Sequence, residues 1–335
     1  MTLFQNDFLF IFPELFLCLG AMYLLVYGVI YSTSASKEYP ILLQNIGYLS
    51  VLCLVWTGIL LFNAPVTHAV FFYNSLLIDD LTFFLKSLVL FSTIGSIFLS
   101  FDYFKHESFH AFEYMVLLLL STCSMLLMIS SYDFISMYLT IELQSLCFYV
   151  LAASKRNSEF STEAGLKYFL LGAFSSGILL FGSSMIYGFT GVTNFEELAK
   201  IFTGMGDHSH IMSNGVLVGI LFLAVGFLFK LTAAPFHMWA PDVYEGAPTS
   251  VTAFFALAPK IAILGVFLRL FLYSFFDFLS AWQVLFFVCS LFSMILGSLA
   301  AMAQKKIKRL LAFSSIGHIG YILLGVSCGT VEGVQ

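Results

Sequence analysis

The chain has 335 residues, of which 60% are hydrophobic and only 10% charged, whereas about 25% of an ordinary soluble domain is charged. No soluble core absorbs that much apolar surface, and apolar stretches of helix length recur along the whole chain, so the bilayer is its solvent and lipid its surroundings. The formal net charge of -5 comes with no basic patch, which excludes nucleic acid as a partner.

Reading apolar runs of roughly 18 to 25 residues as spans places the first three helices near 8–31, 41–62 and 79–101. The next three fall near 112–130, 133–153 and 162–190, followed by 212–238, 249–273, 281–303 and 307–328. The expected fold is an all-α polytopic bundle. An N-terminal three-helix segment (1–103) precedes a five-helix unit (112–274) and the start of a second (281–335).

Alternate loops test this count, because Lys and Arg collect on the side from which helices are inserted. The odd loops hold Lys37, Lys105, Lys155, Arg156, Lys305, Lys306, Lys308 and Arg309, against Lys200 and the helix-end Arg269 on the even side. The odd loops therefore face the matrix or cytoplasm, and the N-terminus faces the intermembrane or periplasmic space. Asp7 and Glu14 stand where a transit peptide would be rich in Arg and poor in acids. Synthesis inside an organelle or a bacterium follows. The 40 phenylalanines fit an AT-rich organellar genome, so the mitochondrial inner membrane is the first reading and a bacterial inner membrane the second.

Six cysteines (Cys18, Cys53, Cys123, Cys147, Cys289, Cys328) lie in apolar stretches with no C-x-x-C spacing, so they read as small hydrophobes rather than disulfide, zinc or cluster ligands. No cofactor is expected in this chain. His106-Glu107-Ser108-Phe109-His110 matches the zinc-protease pattern H-E-x-x-H, but it reads as a short interhelical loop without a third ligand. Asp207-His208-Ser209-His210 reads as a solvated loop, and Gly215-x-x-x-Gly219 as a surface that lets two helices approach closely.

The informative residues are charges far from any span end: Glu142 in the fifth helix, Lys167 in the sixth, Lys230 in the seventh and Lys260 in the eighth. Each costs about 2.5–3.5 kcal/mol at mid-membrane, so each should face protein or water and pair with another. Glu142 lies roughly 14 Å into its helix at 1.5 Å per residue, near the bilayer centre, with Gln144 and Ser145 beside it. A buried lysine loses proton affinity by desolvation and regains it from a nearby carboxylate, so moving Glu142 relative to Lys230 would switch proton binding. Lys86, seven residues after Asp79, reads as snorkelling or locally paired and is left out of the pathway.

In the seventh helix Pro235 removes a backbone donor and clashes near the Leu231 carbonyl, so the helix should break there and line a cavity. Pro259 beside Lys260 repeats the proline–lysine pairing.

These residues resemble a known family. Phe229-Lys230, Ala234-Pro235-Phe236-His237-Met238-Trp239 and Pro241-Asp242-Val243-Tyr244-Glu245-Gly246-Ala247-Pro248-Thr249 are similar to the antiporter-like membrane subunits of proton-pumping NADH:quinone oxidoreductase, respiratory complex I. The last run, followed by Pro259-Lys260, looks like the subunit 2 branch. Ile141-Glu142-Leu143 and the stretch from Lys308-Arg309-Leu310 to His318 support it.

The resemblance implies fourteen helices, with helices four to eight and nine to thirteen as inverted repeats around broken helices seven and twelve. This chain ends early, within the second repeat. It also implies that Glu142 and Lys230 form the pair of the first half-channel, that Lys167 and Lys260 continue the polar axis, and that His237, Pro259 and His318 support it. Other membrane-arm subunits would be its partners, with FMN, iron–sulfur clusters and ubiquinone held elsewhere in the complex. Rival readings are an Mrp-type cation/proton antiporter subunit and a scaffold with a degenerate or incomplete ion path.

Overall fold

The fold is taken from a computed structural model, which describes residues 8–32, 39–64, 69–107, 112–203 and 214–334. Among the described residues ten helices are long and apolar enough to cross a membrane, matching the ten spans read from hydropathy. They are α1 (Phe12–Ser32), α2 (Tyr39–Asn63), α3 (Asp80–Glu107), α4 (Glu113–Ser130), α5 (Phe134–Ala152), α6 (Glu159–Thr190), α8 (Asn214–Leu231), α10 (Thr249–Arg269, prolonged by a π turn Leu270–Ser274), α11 (Leu279–Met302) and α12 (Ile307–Ser327). Two short helices lie between spans, α7 (Phe195–Phe202) and α9 (Trp239–Gly246), and α13 (Val331–Val334) follows the last.

Several features depart from the sequence reading. The loop between α2 and α3 contains an antiparallel hairpin, β1 (Ala69–Phe71) and β2 (Leu76–Ile78), closed by Phe72, Tyr73 and Asn74 in left-handed conformations. Its short apolar, partly β-branched strands pack as a cap where a plain polar loop was expected. Helix α3 runs on to Glu107, so His106 and Glu107 end a helix rather than occupy a loop, and Glu107 accepts a 2.5 Å hydrogen bond from Lys155. Residues 108–110 of that motif, Lys37 and the Asp207–His210 cluster lie outside the described residues. Among the described residues no group of three or more His, Cys, Asp or Glu side chains is arranged to hold a metal.

The core sits around α4, whose span is the most enclosed of the ten. Helix α5 starts on a capped turn, Asp133 accepting from the Ile135 amide at 2.7 Å and from the Thr193 hydroxyl at 2.7 Å, which sets its height in the bundle. Helices α6 and α8 cross at contact distance through glycine, as the Gly215-x-x-x-Gly219 spacing implies. A Cβ on Gly182 would meet the Leu223 amide nitrogen at 2.8 Å and the Gly219 carbonyl at 2.9 Å, and one on Gly226 would meet Leu179. The antiparallel register that these contacts fix brings Ser176 opposite Lys230.

Lys86 neither snorkels nor pairs locally. It is 3% exposed and bonds the equally buried Glu14 (2%) at 2.5 Å, tying α3 to α1. Asp79 instead takes Arg269, through two bonds of 2.9 and 3.0 Å, and Arg269 also donates to the Ile129 carbonyl at 3.2 Å, joining α10, α3 and α4. Breaking a buried pair leaves an uncompensated charge, whereas replacing both partners by apolar groups is often neutral. Lys86→Met should therefore destabilise the protein by about 3–5 kcal/mol, and Glu14→Leu combined with Lys86→Met should restore most of the loss. Thermal unfolding of the solubilised protein checks both.

Candidate proton-handling site

Helix α8 stops at Leu231, four residues before Pro235, as the missing donor requires. Thr232 turns into the left-handed region (φ 66°), which a β-branched residue tolerates only where its surroundings impose it. The chain then runs irregularly, through a cis Ala234–Pro235 bond, to α9. The freed backbone groups are satisfied individually: the Ala233 amide donates to the Leu228 carbonyl at 2.9 Å, the Ala234 amide to the Ser293 hydroxyl of α11 at 2.8 Å, and Trp239 Nε1 to the Phe229 carbonyl at 3.0 Å. Trp239 is fixed in turn by stacking on Tyr168 of α6, with centroids 4.5 Å apart.

Pro259 does not repeat the break. Helix α10 runs through it unbroken from Thr249 to Arg269. The carbonyl four residues earlier, that of Phe255, accepts a 3.2 Å bond from the Tyr244 hydroxyl of α9, which replaces the amide that proline lacks.

Lys230 is 9% exposed and donates to the Ser176 hydroxyl at 3.4 Å. Glu142 is half-buried and accepts from Ser145 at 3.0 Å and from Tyr138 at 3.3 Å. No ion pair shorter than 4.0 Å joins Glu142 to Lys230, although Ser145, which bonds the carboxylate, lines the same cavity as Lys230. Lys260 has an enclosed Nζ with no protein hydrogen-bond partner, standing 5.9 Å from the centroid of the Tyr244 ring, a cation–π contact. Lys230 and Lys260 line one small cavity of about 20 Å³, room for about one water, with Gln144, Ser145, Thr232 and Pro259. Its Gln144 Oε1 and Thr232 Oγ1 also lack protein partners, the pattern of a site that water satisfies.

The other candidates lie apart. Lys167 is 43% exposed, 2.7 Å from Glu163 and 3.0 Å from Asp242, so it belongs to a surface cluster rather than to the buried axis. Asp242 also accepts from Arg309 and Glu245 from Lys306, and Arg309 Nε forms an ion pair with Glu245 at 3.1 Å. The cluster fastens α9 to α6 and α12. His237 follows the break, 9% exposed with Nδ1 unpartnered. His318 is exposed, 3.5 Å from Ser314 in a groove between α11 and α12, away from the cavity. Sequence reasoning missed Tyr244, Ser176 and the Asp242 cluster. A signal for the last exists, since Asp242/Glu245 and Lys306/Arg309 each have the i, i+3 spacing of one helix face.

A bundle with a broken seventh helix and lysines on an enclosed polar seam defines a transporter-like membrane subunit. Residues 131–335 match the family described as NADH:quinone oxidoreductase/Mrp antiporter, transmembrane. The chain is 64% identical over 335 residues to NADH-ubiquinone oxidoreductase chain 2 of Marchantia polymorpha, covering 99% of itself and 68% of that relative. It is 59% identical to chain 2 of Arabidopsis thaliana (98% and 66% covered) and 45% to NADH-quinone oxidoreductase subunit N of Rhodospirillum rubrum (96% and 64%). Respiratory complex I from Thermus thermophilus contains a similar fold (TM-score 0.76, 28% identity, 95% of this chain and 65% of that one). The Mrp complex from Dietzia shares the fold (TM-score 0.72, 22% identity, 98% and 61% covered). The chain thus belongs to the NADH:quinone oxidoreductase/Mrp antiporter family, in its chain 2/subunit N branch, and spans about two thirds of the length of these relatives.

Burial pushes the Asp242 carboxyl up, but the bonded Lys167 and Arg309 outweigh it and hold the group below the ordinary aspartate value. A depressed folded value means that the tether is at full strength above about pH 4 and is lost as the pH falls through that lower folded value. Asp242→Asn should remove this acid-sensitive step from the pH–stability profile of the purified protein, while Lys167→Met, which leaves Arg309 in place, should only shift it.

Proposed function

We propose that the chain is a proton-translocating subunit of the membrane arm of an NADH:ubiquinone oxidoreductase. Lys230 accepts and releases the proton, Glu142 sets its affinity, and Lys260 passes the charge towards the second repeat. The observation that carries this reading is an enclosed ammonium at a helix break with a carboxylate near but not bonded. An ion pair serving only to hold helices would close to contact, as Glu14 and Lys86 do at 2.5 Å. Separation leaves a pair whose interaction changes with small movements of the hinge, and a charge in a poorly screened interior responds strongly to such changes.

The cavity between Lys230 and Lys260, with its unpartnered polar atoms, has room for about one water to bridge the two lysines. Lys167 acts differently from the axis: it positions α9 through Asp242 at the lysine-rich end. NADH oxidation and quinone reduction, with FMN, iron–sulfur clusters and ubiquinone, take place in partner subunits and drive the hinge from outside. The protein lies in the mitochondrial inner membrane with its N-terminus towards the intermembrane space, an orientation supported by the lysine-rich odd loops. The ten spans divide into the N-terminal three, a five-helix repeat and the start of a second repeat.

Lys230→Ala and Glu142→Ala should each abolish or strongly reduce NADH-driven proton pumping in membranes where the complex assembles normally. Unchanged pumping by both variants would favour a scaffold. Sodium-dependent proton exchange by the isolated protein would favour an Mrp-type antiporter.

A further inference from the structure

The seam between α5 and α6 holds a group that this reading leaves unused. Ser145 of α5 bonds Glu142, and Ser176 of α6 bonds Lys230. One helical turn further towards the lysine-rich end, the same two helices present Tyr149 and Gly172. The phenol tip lies where a side chain at 172 would stand: a Cβ built there would be 2.3 Å from the Tyr149 hydroxyl, so only glycine leaves it room. The Tyr149 ring is clamped edge-on by Tyr168 (5.0 Å, 90°) and Phe169 (5.5 Å, 87°).

Tyr149 is 7% exposed, and its hydroxyl is enclosed without a partner at hydrogen-bonding geometry, one helical turn from Ser145 on α5 and facing Gly172, one turn from Ser176 on α6. A buried phenol normally finds a partner. On its other side Tyr149 forms part of the lining of a cavity of about 690 Å³, with Glu113, Ser154 and Arg156 as the polar part of its wall and Leu117, Val150 and Phe169 as the apolar part. The Ser154 hydroxyl is likewise enclosed and unpartnered. Arg156, in the loop at the lysine-rich end, lines this crevice, so the crevice reaches that end of the bundle, and Tyr149 stands between it and the Glu142–Lys230 pair.

We infer that Tyr149 is the gate and relay through which protons pass between the lysine-rich side and the Glu142–Lys230 pair, an inference that rests on the proton-translocating role proposed above. The phenol oxygen takes a proton from a hydronium ion in the crevice, leaving water, as its own O–H proton passes by way of the Ser145 or Ser176 hydroxyl to the neutral amine of Lys230, and rotation of the hydroxyl resets it. One O–H bond forms and one breaks, so the phenol carries no net charge between transfers. The unbonded hydroxyl is free to make that rotation, and the ring shuts the seam to bulk water.

Tyr149→Phe keeps the ring and removes only the relay. In the intact complex in membrane vesicles it should assemble normally and slow pumping-coupled NADH oxidation by about tenfold or more, with fewer protons moved per NADH. Gly172→Ala, which displaces the phenol tip, should do the same. Val150→Cys, at a residue that lines the crevice and is 55% exposed, should gain one label from a charged, membrane-impermeant thiol reagent added on the lysine-rich side. Tyr149→Phe with unchanged pumping, or a Val150→Cys variant inert to that reagent because lipid fills the crevice, would overturn the route. If Lys230→Ala still blocks pumping in the first case, this inference alone fails; if Lys230→Ala pumps normally, the underlying reading fails with it.

Discussion

An ammonium group enclosed in a lipid-embedded bundle without a carboxylate in contact is the constraint on which the rest of this structure depends. Lys230 meets it with one long bond to Ser176 and a carboxylate held off by its own bonds to Ser145 and Tyr138. Lys260 meets it with the face of Tyr244 and the small cavity that it shares with Lys230. Neither solution approaches the closed geometry of Glu14–Lys86 or Asp79–Arg269. The same fold thus carries two kinds of buried charge. Contact pairs fasten helices, and separated groups keep their protonation sensitive to distance and water.

Two prolines show how backbone chemistry sets which segments are able to move. After Leu231 the freed groups find partners on different elements, Ser293 of α11 and the Trp239 indole, so the irregular segment is held by side chains rather than by a helical ladder. At Pro259 the lost bond is replaced on the spot by the Tyr244 hydroxyl, and the helix continues. Proline supplies the same defect in both cases, and the neighbouring donor decides between a hinge and a straight helix. Because Tyr244 belongs to α9, the element that continues the hinge also keeps α10 intact beside Lys260.

The number and order of the spans were legible because hydrophobic length is a one-dimensional property, and the break at Pro235 was legible because a missing donor acts within four residues. Glu142, Lys230 and Lys260 stood out for the cost of placing charge in lipid. Lys167 misled for the same reason, since hydropathy records position along a helix but not which face it occupies, and its face is the one that meets Asp242. Lys86 misled in the opposite sense: its partner Glu14 lies 72 residues away, and nothing local distinguishes it from a snorkelling lysine. The Tyr244 bond to Phe255 was illegible because it needs the fold of the broken segment before the two groups can meet.

The ion-pair cluster at the lysine-rich end gives the hinge a mechanical setting. Asp242 and Glu245 on α9 bind Lys306 and Arg309 at the start of α12 as well as Lys167 on α6, while Lys308 donates to the Ala247 carbonyl at 2.8 Å. The end of the broken helix that faces away from Lys230 is therefore tied to the first turn of α12. Its other end is held within the bundle interior by a serine and an indole. A displacement of α12 is carried by charged contacts into α9, and α9 carries both the Tyr244 ring over Lys260 and the connection back to Lys230. The two buried lysines are thereby linked to α12 through named contacts, which is the coupling that the proposed pumping role requires.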